Sequence, residues 1–531
     1  MIGYRWGEAR GDGFCAADPE TGAKLAPEYF SATDAEIGRA ADLASEAFRV
    51  YGRLPGKARG AFLRAIADQI EKLGETLLER ATQETALPAA RIQSERTRTC
   101  NQLRFLAGVV EEGSWVGARI DLADPNRKPL PKPDLRSLLR PLGPVAVFGA
   151  SNFPLAYSVA GGDTASALAA GNPVIVKAHP AHPGTSELVG HAVREAAQAC
   201  AMPEGIFSLL FDAGTRVGAA LVRHPKVKAA GFTGSRAGGR ALMDIAAARP
   251  EPIPFFAEMG SVNPVFILPG ALRERREQIV EGLHSSVITG AGQFCTKPGV
   301  IVLDDSPDAR ALAKGLGERM EHAPEFALLT AGIRASYAAG IESRAREKGV
   351  CKTALGQGTG NPGFRAVAAL FETDAETFLA KADLGAEIFG PTTLVVYHSG
   401  REQMLEIARN LEGHLAAAVH GTEKDLRDYA ELMAILETKV GRVVFNGYPT
   451  GVEVCHPMVH GGPYPATSDG RSTSVGSQAI FRFARPVCFQ DFPDAALPVE
   501  LQNANPLGIW RLVDGQWTRE VVSQAVPAGR A

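Results

Sequence analysis

No run of about 18 uninterrupted apolar residues occurs in this 531-residue chain, so no segment reads as a membrane-spanning helix. The stretch MIGYRWGEARGDGF carries acidic residues and glycines where a secretory signal needs an apolar core, and the expected location is the cytoplasm. Charge excess is missing too. With 56 Lys plus Arg against 59 Asp plus Glu, the formal net charge is −3, which argues against a nucleic-acid binder. Cysteine is sparse: Cys15, Cys100, Cys200, Cys295, Cys351, Cys455 and Cys488 are odd in number, scattered and never spaced CxxC, which excludes a disulfide framework and a zinc ribbon. What is present suits a soluble globular protein, since 45% hydrophobic and 22% charged residues disfavour disorder. At about 150 residues per domain, the length suggests two to four domains.

Residues 33 to 112 read as helices, opened by a Thr33/Glu36 capping box and by Ile37, Ala40, Ala44, Ala47 and Phe48 at helical spacing. The proline- and charge-rich segment 124–144 reads as a connector with a projecting hairpin, its strand LRSLLR ending at a Gly143–Pro144 turn. From 145 to 259, short apolar runs (VAVFG, PVIVK, IFSLL, VKAAGF) alternate with helical patterns, as repeated βα units on a parallel sheet do. A second α/β series begins near 260 with PVFIL, GVIVL, TTLVVY, LAAAVH and GRVVF. The tail beyond about 495, with LGIWRLVDGQW, reads as a short strand pair or an arm.

Several residues carry possible chemistry. In VKAAGFTGSRAGGR a strand ending at Phe232 feeds Gly234 and Ser235 into a helix, an arrangement that binds pyrophosphate or simply makes a tight turn; the spacing is not GxGxxG. Lys177 leaves the strand VIVK for a loop, where it meets ribose or phosphate, or is merely solvated. Cys295, among the small and turn-forming residues of AGQFCTKPG, is a candidate nucleophile or a buried small hydrophobe. Glu258 ends an apolar strand, where burial is expected to raise its pKa towards that of a general base; an interdomain ion pair is the other reading. Asn152 follows the strand VAVF, placed to donate to an oxyanion or to shape the turn before Pro154.

Taken in order, NFP (Asn152), VIVK (Lys177), GFTGS (Gly234, Ser235), EMGSVNP (Glu258), GQFCT (Cys295), EIFGP (Glu387, Phe389) and VVFN (Asn446) resemble the aldehyde dehydrogenase superfamily over roughly residues 10 to 495. Within it the chain is most similar to the α-ketoglutaric semialdehyde (2,5-dioxopentanoate) dehydrogenases and their relatives, the NADP-dependent bacterial fatty-aldehyde dehydrogenases. The resemblance implies an α/β fold. A Rossmann-like cofactor domain (1–129 and 146–259) and a catalytic domain (260–479) would be joined by a bridging β element (130–145 and 480–495), with a tail from 496 to 531. It implies a Cys295 thiohemiacetal and thioester, an oxyanion held by Asn152 and the Cys295 amide, and water activated by Glu258. It further implies that Lys177 and Glu387 clamp ribose hydroxyls, that Ser235 meets the pyrophosphate, and that Phe389 packs beside the nicotinamide.

Pro180 stands where many NAD-preferring relatives carry a glutamate, so NADP is the expected cofactor, with NAD possible and with His179, His182 or Arg236 near the 2′-phosphate. The expected reaction is oxidation of 2,5-dioxopentanoate to 2-oxoglutarate; fatty-aldehyde oxidation, a cysteine hydrolase and a non-catalytic binding protein are the alternatives. A dicarboxylic semialdehyde calls for an arginine, and Arg98 and Arg104 on one helix are the candidates, at most one pointing inward. Phe153, Phe294 and the loop containing Tyr448, Thr450 and Val452 are expected to line the aldehyde tunnel. Cys455, His456 and His460 suggest a metal site, which is set aside for want of a fourth ligand, the histidines being expected to bond backbone groups. No metal and no nucleic-acid or membrane partner is expected. The projecting hairpin leaves sheet edges for a second subunit to cover, so a homodimer or homotetramer is expected.

Overall fold

The computed structural model describes residues 1–7 and 11–522; the end of the expected tail, 523–531, lies outside them. Four helices, Asp34–Tyr51, Gly56–Lys72, Gly74–Thr85 and Ala89–Glu112, form the entry region. The first starts with the capping box, the Thr33 hydroxyl accepting from Glu36 N and the Glu36 carboxylate from Thr33 N. The last, 24 residues long, stops at Gly113, whose left-handed φ of 87° few other residues adopt. Its Glu95 carboxylate accepts from the backbone amides of Leu155 and Ala156, both at 2.9 Å, and so ties this helix to the loop that carries Asn152.

Fully buried, β-branched segments make the parallel sheet of the first domain, because strands covered on both faces need no polar alternation. Its strands Val145–Phe148, Val174–Lys177, Phe207–Leu210, Ala229–Thr233 and Phe255–Glu258, taken in chain order, lie 3-2-1-4-5 in space. The order reverses between the first and fourth, which opens a crevice beyond their carboxyl ends. Asn152, Ser235 and Glu258 all sit at that rim.

The second sheet has seven strands. Five are the apolar runs legible in the sequence; Val350–Leu355 and Ala369–Asp374 join them at one side, the former antiparallel. VCKTAL reads poorly as a strand because it is an edge whose residues are mostly exposed.

A third sheet holds the bridging element, with Ala484–Gln490 antiparallel to Leu135–Pro141 over seven residue pairs. Here two expected boundaries need correction. Arg119–Asp121, assigned above to the cofactor domain, pairs with Leu135–Pro141, and the tail adds Arg511–Val513 and Gln516–Thr518 to the same sheet. The tail is anchored by Arg511, a wholly buried guanidinium that donates to the carbonyls of Gln502, Asn503 and Glu520. Three-residue strands carry too little periodicity to reveal such pairing. Among the described residues no helix is long and apolar enough to cross a membrane.

Candidate active site

Cys295 sits in a loop shaped by unusual backbone. Gly290, Ala291 and Gly292 are left-handed in succession, and a Cβ on Gly292 would come within 2.3 Å of the Gly390 carbonyl. Asn263, itself at φ 43°, donates its side-chain amide to the carbonyls of Cys295 (2.8 Å) and Lys297 (3.0 Å) and fixes the loop from beneath. Asn152 Nδ2 donates one hydrogen to the Gln293 carbonyl at 2.9 Å. Its second N–H is available to a ligand in the cavity that Asn152 lines.

Beside the sulfur stands a residue that the sequence reading placed elsewhere. His460 Nε2 lies 3.7 Å from Cys295 Sγ and 2.9 Å from Glu258 Oε1, and the Ser474 hydroxyl donates to Glu258 Oε2 at 3.1 Å. The three donor atoms of Glu258, Cys295 and His460 are within 4.8 Å of one another, close enough to share a proton or to hold a soft divalent ion. Cys455 and His456 take no part, the His456 ring packing 4.8 Å from that of Phe105. The expectation that His460 serves its loop only through backbone bonds is therefore corrected.

Electrostatics follow from this triplet. Burial, the largest influence on Glu258, pushes its carboxyl up, but the charge and hydrogen bond of His460, with hydrogen bonds from Cys295 and Ser474, outweigh it and hold the carboxyl below its ordinary value. The expected upward shift is thus reversed. Burial also dominates at Cys295, with the Glu258 charge adding to it, and the thiol is pushed well above its ordinary value. An isolated Cys295 would be protonated at neutral pH, so a proton acceptor is needed.

Two cavities meet at Cys295. The larger, about 430 Å³, is lined by Asn152, His179, Ser235, Glu258, Glu387 and Phe389 among others. Ser235 caps the 12-residue helix Arg236–Ala247 by accepting from Gly238 N, and Gly234 lies on the cavity wall, so this helix N-terminus faces the cavity. Glu387 is pushed up by burial, with Lys297 opposing, and its buried Oε1 has no hydrogen-bond partner. That orphaned acceptor fits a ribose hydroxyl. Lys177 ends its strand almost buried, its ammonium lowered to about 8 by burial against Asp212, and neither it nor Pro180 belongs to the lining. Of the candidates for a 2′-phosphate, Arg236 is paired with Glu412 and His182 is bonded to Ala150 O and Ser186. His179 lines the cavity, and since its Nδ1 accepts from Ala181 N, its Nε2 is the donor.

The smaller cavity, about 240 Å³, has Phe153, Tyr157 and Phe294 as aromatic walls, with Gly451 and Val452 opposite. Arg98 lines it, whereas Arg104 turns away and is saturated by Glu71 and Asp68 at 2.6–2.7 Å. Thr450 is corrected as well: its hydroxyl is bonded to Ser286, and its two successors form the wall. Asn446 is distant in role, accepting from Gly421 N at the end of its strand.

Residues 6–475 match the model of the aldehyde dehydrogenase family. The chain belongs to this family. It is 51% identical over 502 residues to alpha-ketoglutaric semialdehyde dehydrogenase 2 of Azospirillum brasilense, covering 94% of this chain and 95% of that one. It is 47% identical to the alpha-ketoglutaric semialdehyde dehydrogenase of Acinetobacter baylyi, covering 92% and 93%. Among solved structures, the NAD+ complex of an aldehyde dehydrogenase from Bacillus cereus superposes with a TM-score of 0.77 over 90% of this chain and 93% of that one, at 21% identity, which speaks to the fold alone. In this aldehyde dehydrogenase, then, Cys295 lies where two cavities meet.

Sequence reasoning missed Arg91, Tyr157, Asn263 and Ser474. Arg91 alone had a signal, because it lies two helical turns before Arg98 and therefore on the same face.

Proposed function

We propose that this aldehyde dehydrogenase oxidises 2,5-dioxopentanoate to 2-oxoglutarate, preferring NADP and accepting NAD. The observation that carries the chemistry is the single sulfur at the junction of two cavities with the His460–Glu258 pair beside it. The substrate is argued from near full-length similarity to two relatives bearing that substrate's name.

The Cys295 thiol, hydrogen-bonded to the Glu258 carboxylate, gives its proton to it; His460 Nε2–H donates to Oε1 at 2.9 Å and keeps that carboxylate ionised beforehand, and Glu258 releases the proton to solvent before it acts again. The thiolate adds to the aldehyde carbon, and the oxyanion is held by the free N–H of Asn152 and the Cys295 amide. When bound, the nicotinamide dinucleotide supplies the acceptor for the hydride that leaves this carbon. Glu258 then takes a proton from water as its oxygen attacks the thioester, releasing the acid and regenerating the thiolate. On the cofactor side, His179 Nε2–H would meet a 2′-phosphate as a neutral donor, burial holding its pKa well below the ordinary value. The edge strand Val440–Phe445, with Val443 and Phe445 exposed, and the exposed Trp517 of the bridging sheet, with Trp510 just before that sheet's strand Arg511–Val513, are surfaces for other copies in a homodimer or homotetramer.

Initial rates with 2,5-dioxopentanoate, succinic semialdehyde and decanal, each with NADP and NAD, test this reading. The dicarbonyl acid with NADP is expected to give the highest kcat/KM; a higher value for decanal transfers the assignment to fatty aldehydes.

Two variants probe the roles. In His460→Asn burial is left to raise the Glu258 carboxyl, so the thiol keeps its raised pKa beside a carboxyl that is less often ionised, and alkylation of Cys295 by iodoacetamide is expected to slow by about 10²- to 10³-fold at neutral pH. The deficit should shrink as pH rises, because thiolate forms on the alkaline side. A loss that is the same at pH 6 and pH 9 removes His460 from proton transfer. Pro180 itself stands outside the lining, but Pro180→Glu, which puts a carboxylate next to the lining residue His179, is expected to lower the NADP:NAD ratio of kcat/KM by about 10-fold or more through like-charge repulsion of the 2′-phosphate. An unchanged ratio means that this position does not face the phosphate.

A further inference from the structure

Three arginines approach the aldehyde side of Cys295, and they differ in how far their donors are already used. Arg442 is spent: it donates to the carbonyls of Pro449 and Gly451 and so holds the tunnel loop in place. Arg98 is not. Its Nε and Nη2 reach the Val452 carbonyl only at 3.4 Å and Nη2 the Tyr157 hydroxyl at 3.3 Å, while its buried Nη1 has no partner. Arg91 sits over the rings of Phe153 and Phe294, 4.6 and 4.8 Å from their centroids, and its buried Nη2 has no hydrogen bond. The carboxylate facing it is that of Glu95, with Oε2 at 3.5 Å.

Glu95 is ion-paired with Arg91 through Oε2 at 3.5 Å without hydrogen-bonding it, while its Oε1 is taken by the amides of Leu155 and Ala156. Residues 91, 95 and 98 are spaced i, i+4, i+7 on the helix Ala89–Glu112 and share the face that lines this cavity. Two guanidiniums against one carboxylate leave the lining positively charged whether Glu95 is ionised or neutral. Buried guanidinium donors without acceptors are costly, and an alkyl chain in the same space would leave them unpaired. A carboxylate satisfies both the charge and the missing acceptors, and the planar fork of arginine suits it.

We propose that Arg91 and Arg98 together form the subsite for the distal carboxylate of a short dicarboxylic semialdehyde, with Glu95 as a fixed counter-charge that positions Arg91. This deepens the function proposed above and rests on it for the place of the aldehyde at Cys295.

The test compares wild-type enzyme with Arg91→Met, Arg98→Met and Arg98→Lys on 2,5-dioxopentanoate, succinic semialdehyde and pentanal, with glutarate as a competitive inhibitor. Each methionine variant is expected to lower the ratio of kcat/KM for 2,5-dioxopentanoate over pentanal by about 10- to 100-fold, mainly through KM, and to weaken glutarate inhibition by a similar factor. Arg98→Lys should recover part of both losses, since the charge remains without the fork. Equal losses on all three aldehydes would mean that the arginines only hold the loop, and the subsite falls. If wild type prefers 2,5-dioxopentanoate and the variants keep that preference, the subsite falls while the proposed function stands. If wild type prefers succinic semialdehyde and the variants lose it, the subsite stands and the assigned substrate falls. Preference of the wild type for pentanal overturns both.

Discussion

Cys295→Ala is expected to lower kcat/KM for aldehyde oxidation by at least about 10⁴-fold while leaving cofactor binding intact. The expectation rests on position, because Cys295 alone among the seven cysteines borders both cavities. Cys100 is buried between helices, its thiol donating to Ala67 O, and Cys455 lies outside the Glu258–His460 group, so neither can substitute. Alanine removes the nucleophile but not the left-handed backbone run that precedes it or the Asn263 bonds that hold the loop, which engage main-chain atoms. Cofactor titration by quenching of intrinsic fluorescence should therefore match wild type. Residual activity above about 1% would show that a base-catalysed hydrate route bypasses the sulfur, and the thioester mechanism would have to be abandoned. The same variant bears on the hydrolase alternative: ester turnover by wild-type enzyme without nicotinamide, lost in Cys295→Ala, reports only that the sulfur is nucleophilic, so cofactor dependence of aldehyde oxidation is the measurement that decides.

How much of this was legible in the sequence depends on how local each signal is. The parallel sheet was readable because the strands Val145–Phe148 and Val174–Lys177 open on the apolar runs VAVF and VIV, each preceded by a proline. Cys295 stood out because small residues around a lone cysteine suggest a turn, and Ser235 because a strand there feeds glycines into a helix N-terminus. The direction of the Glu258 shift was not, since the imidazole that reverses it lies 202 residues further along the chain and approaches only when the loop bearing Thr473 and Ser474 folds back. Helical periodicity separated Arg98 from Arg104, but only the packing of Gly56–Lys72 against Ala89–Glu112 shows that Arg104 is consumed by Asp68 and Glu71. The tail strands escaped because pairing of Arg511–Val513 with Arg119–Asp121 joins segments nearly four hundred residues apart, with two partners in register.

Glu258→Gln separates the two halves of the reaction. The amide keeps an oxygen for the Ser474 hydroxyl and a polar group towards His460, so the site should retain its shape while losing its base. Removal of the negative charge also relieves one of the influences that raise the Cys295 thiol and frees His460 Nε2, 3.7 Å away, to take its proton, so attack on the aldehyde should persist. Water activation should. The expected result is a burst of about one equivalent of reduced cofactor per active site, then a steady-state rate lowered by about 10²- to 10⁴-fold. Mass spectrometry of the quenched protein should find the acyl group on the peptide containing Cys295. Because pairing with His460 holds the Glu258 carboxyl below its ordinary value, the wild-type deacylation rate should stay flat through neutral pH and decline only on the acid side, as the carboxylate is protonated. The variant, having no carboxylate to protonate, should lose that acid limb. A loss of the burst together with the steady state would show that nothing replaces Glu258 as the acceptor of the Cys295 proton.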